Sequence, residues 1–196
     1  MSVLKHDKKA IESFFNRLDR SRYMDTQRHL AGADMPCPIG HGQTISQPSL
    51  VLSMTLALEL APQHDVLEIG TGSGFQTAML AKFSKNVYTV ERIEALYERA
   101  KERLRTEGFS NIHFHYGDGN QGWLEYAPYD RIIVTAAAER TPQALVDQLA
   151  PDGRMVIPVG DDFAQELKLI EKDRNGSVHV STLEYVRFVE LKKDTE

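Results

Sequence analysis

The sequence predicts an α/β fold, with a mostly parallel β-sheet, helices on both faces and a C-terminal antiparallel hairpin. Two observations support this prediction. Between residues 66 and 159, short apolar runs alternate with longer stretches of helical periodicity, which is the pattern of repeated β-α units. After Gly160 the alternation stops, and two strand-like stretches flank Asn175-Gly176, a strong signal for a tight hairpin turn.

The N-terminal part of the chain is predicted to be helical. Within residues 10–18, one helix face is apolar because it carries Ile11, Phe14, Phe15 and Leu18. Glycines and prolines break the periodicity in residues 32–42, which predicts a loop. A second helix is predicted over residues 47–60, with its cap near Ser46 or Gln47.

The remaining elements follow from the apolar runs and the helical stretches between them. Parallel strands are predicted over residues 66–69, 87–90, 112–116, 131–135 and 155–159. Helices are predicted over residues 75–83, 93–107 and 141–149. The hairpin strands are predicted over residues 166–171 and 178–189. We expect a single domain, 1–196, made of an N-terminal substrate-side segment (1–60), a cofactor-binding core (61–160) and the hairpin segment (161–196).

Composition narrows the class of protein. Hydrophobic residues make up 41% and charged residues 26% of the 196 residues, which is ordinary for a globular domain. The sequence has no apolar run near the roughly 20 residues of a spanning helix, and its first residues lack a secretory signal pattern. The single cysteine, Cys37, cannot form an internal disulfide. We therefore expect a cytoplasmic protein without a membrane partner. We further expect a monomer or a weakly associating protein.

The net charge argues against one class of partner. A formal charge of −5 disfavours the broad electrostatic contact with phosphates on which nucleic-acid binding usually relies. We therefore expect no nucleic-acid partner.

The most informative stretch of the sequence is residues 66–74, VLEIGTGSG, a strand that runs into a glycine-rich turn. Glycines here let the backbone approach a ligand beside a helix N-terminus. A dinucleotide-binding turn is the rival interpretation. Glu68 decides against it, because a carboxylate there would repel a pyrophosphate but suit an ammonium group, such as that of S-adenosylmethionine.

Two further acidic residues follow neighbouring strands at the same sheet edge. Glu91 comes directly after residues 87–90 and is placed to accept both hydroxyls of a ribose, a contact that dinucleotide enzymes share. Asp118 stands between Gly117 and Gly119, where it could accept a hydrogen bond from an exocyclic amine such as that of adenine. These residues predict a nucleoside-containing cofactor at this edge.

The sequence resembles the protein-L-isoaspartate (D-aspartate) O-methyltransferase family. The segments that carry the resemblance are 38–48 (PIGHGQTISQP), 66–74, 90–92 (VER), 116–119 (YGDG), 127–137 (APYDRIIVTAA), 148–149 (QL), 156–160 (VIPVG) and 186–189 (VRFV). The glycine turn is shared with many methyltransferases, whereas the stretch GQTISQP is far more specific to this family. The resemblance runs in order from about residue 18 to residue 191.

The resemblance implies a Rossmann-like class I methyltransferase fold and S-adenosyl-L-methionine as cofactor. It implies an enzyme that methylates the free carboxylate of L-isoaspartyl and D-aspartyl residues in damaged proteins and so starts their repair. The partners would be isoaspartyl-containing proteins and peptides. No metal is expected. Such an acceptor, with an unperturbed pKa near ~4, is already ionised at neutral pH, so a strong general base is not needed.

The resemblance also implies roles for individual residues. Ser46 matches the proposed catalytic serine of the family, and an ordinary helix cap is its alternative role. The expected cofactor-binding residues are Thr44, Ile45, Glu68, Gly70, Gly72, Ser73, Glu91, Arg92, Gly117, Asp118 and Gly119. The expected substrate-binding residues are Gln43, Ser46, Ser49, Thr135, Ala136 and Val189.

Departures from the family pattern cluster on the substrate side. Ser49 and Leu52 stand where an aromatic or histidine and a small residue are usual, and Asp19 and Asp25 replace two prolines. Glu190 replaces a further proline near the C-terminal end. These departures keep two alternatives open, namely methylation of another carboxylate or small molecule, and a catalytically silent cofactor-binding protein.

Aromatic and histidine side chains near Gly117 allow two interpretations. His113 and His115 alternate along one strand and could suggest a metal pair, but no further ligand stands at suitable spacing, which favours packed or exposed histidines. Trp123 and Tyr126 could belong to the core or cover the adenine.

Overall fold

The computed structural model describes residues 7–161 and 163–192. The ends of the predicted domain, residues 1–6 and 193–196, lie outside the described residues. The strands are β1 (Cys37–Gly40), β2 (Gln43–Ile45), β3 (Asp65–Ile69), β4 (Asn86–Glu91), β5 (Ile112–Tyr116), β6 (Tyr129–Val134), β7 (Leu149–Gly160), β8 (Gln165–Lys172) and β9 (Val178–Val186). The α-helices are α1 (Lys8–Arg17), α2 (Pro48–Ala57), α3 (Phe75–Phe83), α4 (Glu94–Thr106) and α5 (Gln143–Asp147).

The main sheet has seven strands in the order β5-β4-β3-β6-β7-β8-β9. Pairing is parallel from β5 to β7 and antiparallel where β8 and β9 are added. The chain crosses from β5 at one edge to β6 beside β3, so the strand order reverses between β3 and β6. Ligands bind at such a switch point in open α/β sheets, outside the carboxyl ends of the strands. The predicted fold class is confirmed.

Two apolar layers cover the sheet because successive strand residues point to opposite faces. On one face, Val66 and Val87 pack with side chains from α1, α2, α3 and α4. On the other, Leu67 and Tyr88 pack with Leu145 of α5 and with Trp123 from the segment between β5 and β6. Helices on both faces are therefore confirmed, although the second face has only one short α-helix in the described part of the chain.

The N-terminal segment shares the first apolar layer. Asp7 caps α1 by accepting a hydrogen bond from the Lys9 amide at 3.1 Å. The ring of Phe14 meets that of Phe83 edge-on, with centroids 5.6 Å apart. The N-terminal segment is thus packed directly against α3, the helix that follows the glycine turn.

Several boundaries differ from the sequence-based expectation. The predicted loop, residues 32–42, contains strand β1, which forms a small hairpin with β2 through a ladder of only a few residue pairs. α5 covers Gln143–Asp147 instead of residues 141–149, because β7 begins already at Leu149. A register shift separates the first pair of β7 with β6 from the pairs after Gly153, which lengthens the strand beyond its apolar run. In the described residues, no helix is long and apolar enough to cross a membrane.

Candidate functional site

The glycine-rich turn begins where β3 ends, in the middle of the sheet. Gly70 and Gly72 have φ angles of +93° and +54°, a region that side chains with a Cβ rarely adopt. Gly70 also has no room for a side chain, because a Cβ there would collide with the hydroxyl of Thr135. α3 starts at Phe75, directly after the turn, so the unpaired amides of its first turn lie beside the sheet edge.

Three adjoining cavities surround this turn. The main cavity spans about 560 Å³, the turn cavity about 420 Å³ and the serine cavity about 330 Å³, and these volumes include space open to solvent. Thr44 and Thr135 line all three, so the cavities meet at these two residues. Molecules held in neighbouring cavities would therefore face each other there.

Most of the predicted site residues line these cavities. The main cavity is lined by Gln43, Thr44, Gly70, Gly72, Glu91, Arg92, Gly119, Thr135, Ala136 and Val189. The turn cavity adds Ile45, Ser46 and Ser73. The serine cavity combines Ser46 with Thr44, Thr135 and Val189. The structure thus brings together residues that are up to 146 positions apart, between Gln43 and Val189.

Glu91 joins the turn to the main cavity. Its carboxylate accepts backbone hydrogen bonds from Gly72 at 2.9 Å, Arg92 at 2.9 Å and Ile93 at 3.0 Å. A carboxylate offers about four acceptor positions, so this one keeps capacity for a further donor. With a side chain only 5% exposed, Glu91 is held in one orientation at the cavity wall.

Glu68 does not reach the cavities, which corrects the expected contact with a cofactor ammonium group. It is fully buried beneath the turn, where its Oε2 accepts hydrogen bonds from the hydroxyls of Thr77 at 2.6 Å and Thr89 at 2.7 Å. Burial raises the pKa of Glu68 to about 8, so the protonated form predominates at neutral pH. Its structural role is to support the turn from inside the sheet.

Gly117 and Asp118 do not line the main cavity, whereas the next residue, Gly119, does. Asp118 begins a 3₁₀-helix, Gly119–Gln121, and its Oδ1 accepts hydrogen bonds from both the amide and the side chain of Asn120, each at 2.9 Å. The carboxylate therefore borders the cavity through the next residue. Its expected contact with an adenine amine stays a prediction.

Ser46 lies half-buried between the turn cavity and the serine cavity. The cap of α2 is Gln47, and the helix begins at Pro48. The alternative role of Ser46 as an ordinary helix cap is therefore wrong. Its carbonyl accepts a hydrogen bond from Arg20 at 3.1 Å, which fixes the backbone at this position.

Ser49 lies outside the three cavities, which corrects its expected place in the substrate site. Its amide donates to Asp34 Oδ1 at 2.8 Å, and its hydroxyl accepts a hydrogen bond from the Gln47 side chain at 2.8 Å. Both hydrogen bonds are made by Ser49 at the start of α2. The side chain is exposed beside the site and shapes it only through the helix start.

The expected residue set omitted several cavity-lining residues. Arg187 lines the serine cavity together with Ser46, and it belongs to the segment 186–189 that carries part of the family resemblance. The same cavity has an apolar side formed by Pro36, Leu50 and Phe188. Ile39, Ile93 and Leu96 form the apolar side of the main cavity. The sequence signal for Arg187 was present in that segment.

The aromatic residues near the turn pack on one another. His113 stacks on Tyr88 with ring centroids 4.7 Å apart, and His115 stacks on Trp123 at 4.8 Å. Tyr126 also stacks on Tyr88, at 4.7 Å. Both histidines thus stack on aromatic neighbours, and the described residues contain no cluster of three metal-binding side chains.

Comparison with known proteins gives relatives along the whole chain. A profile of the protein-L-isoaspartate(D-aspartate) O-methyltransferases matches residues 2–196. The protein-L-isoaspartate O-methyltransferase of Ectopseudomonas mendocina is 55% identical over 165 residues, which is 83% of this chain and 77% of that protein. That of Vibrio atlanticus is 50% identical over 186 residues, covering 94% of this chain and 88% of the relative.

A solved structure agrees with the sequence relatives. It is a Plasmodium falciparum protein assigned to the protein-L-isoaspartate O-methyltransferases and crystallised with S-adenosyl-L-homocysteine. Its TM-score is 0.76 at 27% identity, and the match covers 97% of this chain and 100% of that one. This chain belongs to the protein-L-isoaspartate (D-aspartate) O-methyltransferase family.

Proposed function

We propose that this chain transfers the methyl group of S-adenosyl-L-methionine to the free carboxylate of L-isoaspartyl and D-aspartyl residues in damaged proteins. The methyl ester then collapses to a succinimide that can reopen as a normal aspartyl residue. The observation that carries the proposal is the meeting of the three cavities at Thr44 and Thr135, because methyl donor and acceptor must approach each other closely.

The residues of the main and turn cavities fit this cofactor. Glu91 has acceptor capacity toward ribose hydroxyls, and the apolar side formed by Ile93 and Leu96 suits the flat face of a base. At Gly70 the Thr135 hydroxyl occupies the place that a Cβ would take, so the absent side chain lets Thr135 pack against the turn at the cavity wall. When bound, S-adenosyl-L-methionine supplies a methyl carbon activated by the neighbouring sulfonium.

The serine cavity fits an acceptor carboxylate. Arg187 provides a positive charge at its edge, and the Ser46 hydroxyl can donate a hydrogen bond to one carboxylate oxygen while the other stays free to react. Since the acceptor is already ionised, these residues need only orient it and hold its oxygen roughly 3 to 3.5 Å from the methyl carbon. Neither residue has to take up a proton.

Radiolabelled methyl transfer tests the proposal. Purified chain and labelled S-adenosyl-L-methionine are incubated with an isoaspartyl peptide, and the same peptide with a normal aspartyl residue serves as control. We expect labelled ester on the isoaspartyl peptide alone. Equal labelling of both peptides would contradict the proposed selectivity, and labelling of neither, with cofactor binding retained, would favour another acceptor or a silent cofactor-binding protein. The cytoplasmic location and monomeric state stay predictions.

A further inference from the structure

Arg20 is a buried cation outside the three cavities. It opens the 3₁₀-helix Arg20–Tyr23, and only 4% of the residue is exposed. Its guanidinium donates to four backbone carbonyls, those of Met35 at 2.8 Å, Ser46 at 3.1 Å, Ala33 at 3.2 Å and Ala31 at 3.4 Å. A buried charge needs such partners, so the carbonyls and the guanidinium fix one another in place.

These hydrogen bonds hold Ser46 from two sides. One side is direct, through the Ser46 carbonyl. The other runs through the loop, because Asp34 lies between the two held carbonyls of Ala33 and Met35 and accepts the Ser49 amide at 2.8 Å. The backbone at Ser46 is therefore held at its own carbonyl by Arg20 and, three residues later, at the Ser49 amide by Asp34.

The four hydrogen bonds of Arg20 depend on the shape of its guanidinium group as well as on its charge. Its planar fork presents five N–H donors, whereas a lysine ammonium is a compact charge with three donors on a flexible stem. A lysine at this position would keep the charge but has only three N–H donors for the four carbonyls that Arg20 contacts. Arg20→Lys therefore tests the geometry of the hydrogen bonds while the positive charge is kept.

We propose that Arg20 is a positioning residue for methyl transfer, holding the backbone of Ser46 at the junction of the turn and serine cavities. This inference rests on the proposed function of Ser46. The residue acts through the Ser46 carbonyl and the Asp34 loop, and it does not itself line the cavities.

The chain provides a matched control at the opposite end of α2. Arg131 is 6% exposed and also donates to four backbone carbonyls, those of Leu58, Asp130, Asp152 and Glu59. Arg20→Lys and Arg131→Lys thus make the same chemical change in equally buried sites, but only the first touches the start of α2. A general loss of packing would affect both variants alike.

The test compares kcat, KM and cofactor Kd of both variants with an isoaspartyl peptide. We expect Arg20→Lys to lower kcat by about tenfold or more, since small misplacements of a positioned group have such effects, while the Kd for S-adenosyl-L-homocysteine changes less than about twofold. Arg131→Lys should keep kcat. An unchanged kcat in Arg20→Lys, or an equal loss in both variants, would overturn the proposal.

Two additions keep the test decisive. Asp34→Ala, an exposed change in the same loop, should lower kcat in the same direction, and it decides the outcome if Arg20→Lys does not fold. Amide hydrogen exchange reads the positioning without activity: Arg20→Lys should lose protection around residues 44–50, and Arg131→Lys should not. If the wild type fails to methylate isoaspartyl peptides, the proposed function is wrong, and unchanged exchange around Ser46 would separately refute the role of Arg20.

Discussion

Glu68 and Glu91 belong to neighbouring strands and lie beside the same turn, but their surroundings differ. Three backbone amides donate hydrogen bonds to Glu91 at the cavity wall. Glu68 has only threonine hydroxyls as donors and no exposed surface, and its pKa is raised to about 8. Sequence position alone therefore did not reveal which of the two carboxylates lines the cavity.

Burial of Glu68 makes the stability of the chain depend on pH. The unfolded chain releases this proton near pH ~4.3, whereas the folded chain keeps it up to about pH 8. Between these values the folded state binds more protons, so rising pH destabilises it through this group, by at most about 1.4 kcal/mol per pH unit. The stability that Glu68 contributes is fully present below its pKa in the unfolded chain, and it is lost as pH rises through its pKa in the folded chain.

Glu68→Gln removes this titration while keeping the shape of the side chain. Relative to wild type, the variant should gain roughly 2 to 3 kcal/mol in free energy of unfolding between pH 5 and pH 7.5. Urea unfolding at both pH values measures the difference, and other titrating groups cancel in the comparison. A constant difference between the two proteins would show that Glu68 does not titrate in this range.

Glu91→Ala should weaken cofactor binding. The variant loses a charged acceptor at the main cavity and the support of the Gly72 amide, which predicts a cost of about 1 to 3 kcal/mol in the binding of S-adenosyl-L-homocysteine. Isothermal titration calorimetry measures it. Glu94→Ala, an exposed carboxylate in the first turn of α4, is the control and should bind normally. Equal affinity of Glu91→Ala and wild type would place the ribose site elsewhere.

Ser46→Ala should affect turnover more than cofactor binding, because the proposed role of its hydroxyl is to donate a hydrogen bond to the acceptor carboxylate. We expect kcat to fall by about tenfold to a hundredfold and the cofactor Kd to stay within about twofold. The exposed Ser49→Ala, outside the cavities, serves as control. Full activity of Ser46→Ala would remove the serine from the mechanism.

At the scale of elements, two departures from the family pattern have structural explanations. Asp19, in place of a proline, caps the 3₁₀-helix by accepting the Ser21 amide at 3.0 Å. Asp25, also in place of a proline, accepts hydrogen bonds from Arg99 and Arg103 of α4, both at 2.7 Å. Arg103 in turn donates to the Ser73 carbonyl of the glycine turn at 2.7 Å. The N-terminal segment is thereby tied to the cofactor side.

Asp25→Asn tests this connection between elements. The pair with Arg99 is about one third exposed, so the loss of stability should stay below about 1 kcal/mol. Looser support of Ser73 should nevertheless raise the cofactor Kd by about twofold to fivefold, and this effect should shrink in high salt because wild type loses the same attraction. Calorimetry at two salt concentrations measures it. An unchanged Kd at low salt would show that the turn is held without Asp25.

How far the sequence predicts an element depends on what holds that element. α3 and β5 were predicted to the residue, because their apolar patterns are strong and glycine or loop residues bound them. The hairpin β1-β2 was missed, because prolines and glycines at 36–42 indicate a loop and only tertiary contacts stabilise so short a ladder. The main sheet order could not be read from local pattern, although the β-α repetition indicated its parallel part.

At the scale of the whole molecule, the site is built from distant parts of the chain. β1-β2 and the start of α2 supply Thr44 and Ser46, the sheet supplies the glycine turn and Thr135, and the segment after β9 supplies Arg187. Family resemblance predicted most of these residues. The burial of individual side chains was not predictable, because the sequence does not reveal that Glu68 lies beneath the turn or that Ser49 lies outside the cavities.

The segment after β9 closes the main cavity through a bridge to the loop after β6. The amide of Ala137 donates to the Val189 carbonyl, and the amide of Leu191 donates to the Ala137 carbonyl, both at 2.7 Å. Neither bond uses the amide of Glu190, so the geometry accommodates either this glutamate or the proline usual in the family. The fold is therefore unaffected by this departure, whereas the Glu190 side chain adds a negative charge at the cavity.

The most direct test of the account is whether the chain repairs an isoaspartyl residue. An isoaspartyl peptide is incubated with the protein and S-adenosyl-L-methionine, and chromatography follows the isoaspartyl, succinimidyl and aspartyl forms, with Ser46→Ala and a reaction lacking cofactor as controls. We predict that wild type converts the isoaspartyl form progressively to the aspartyl form and that both controls do so far more slowly. An isoaspartyl population that stays constant with folded, cofactor-binding protein would contradict the account.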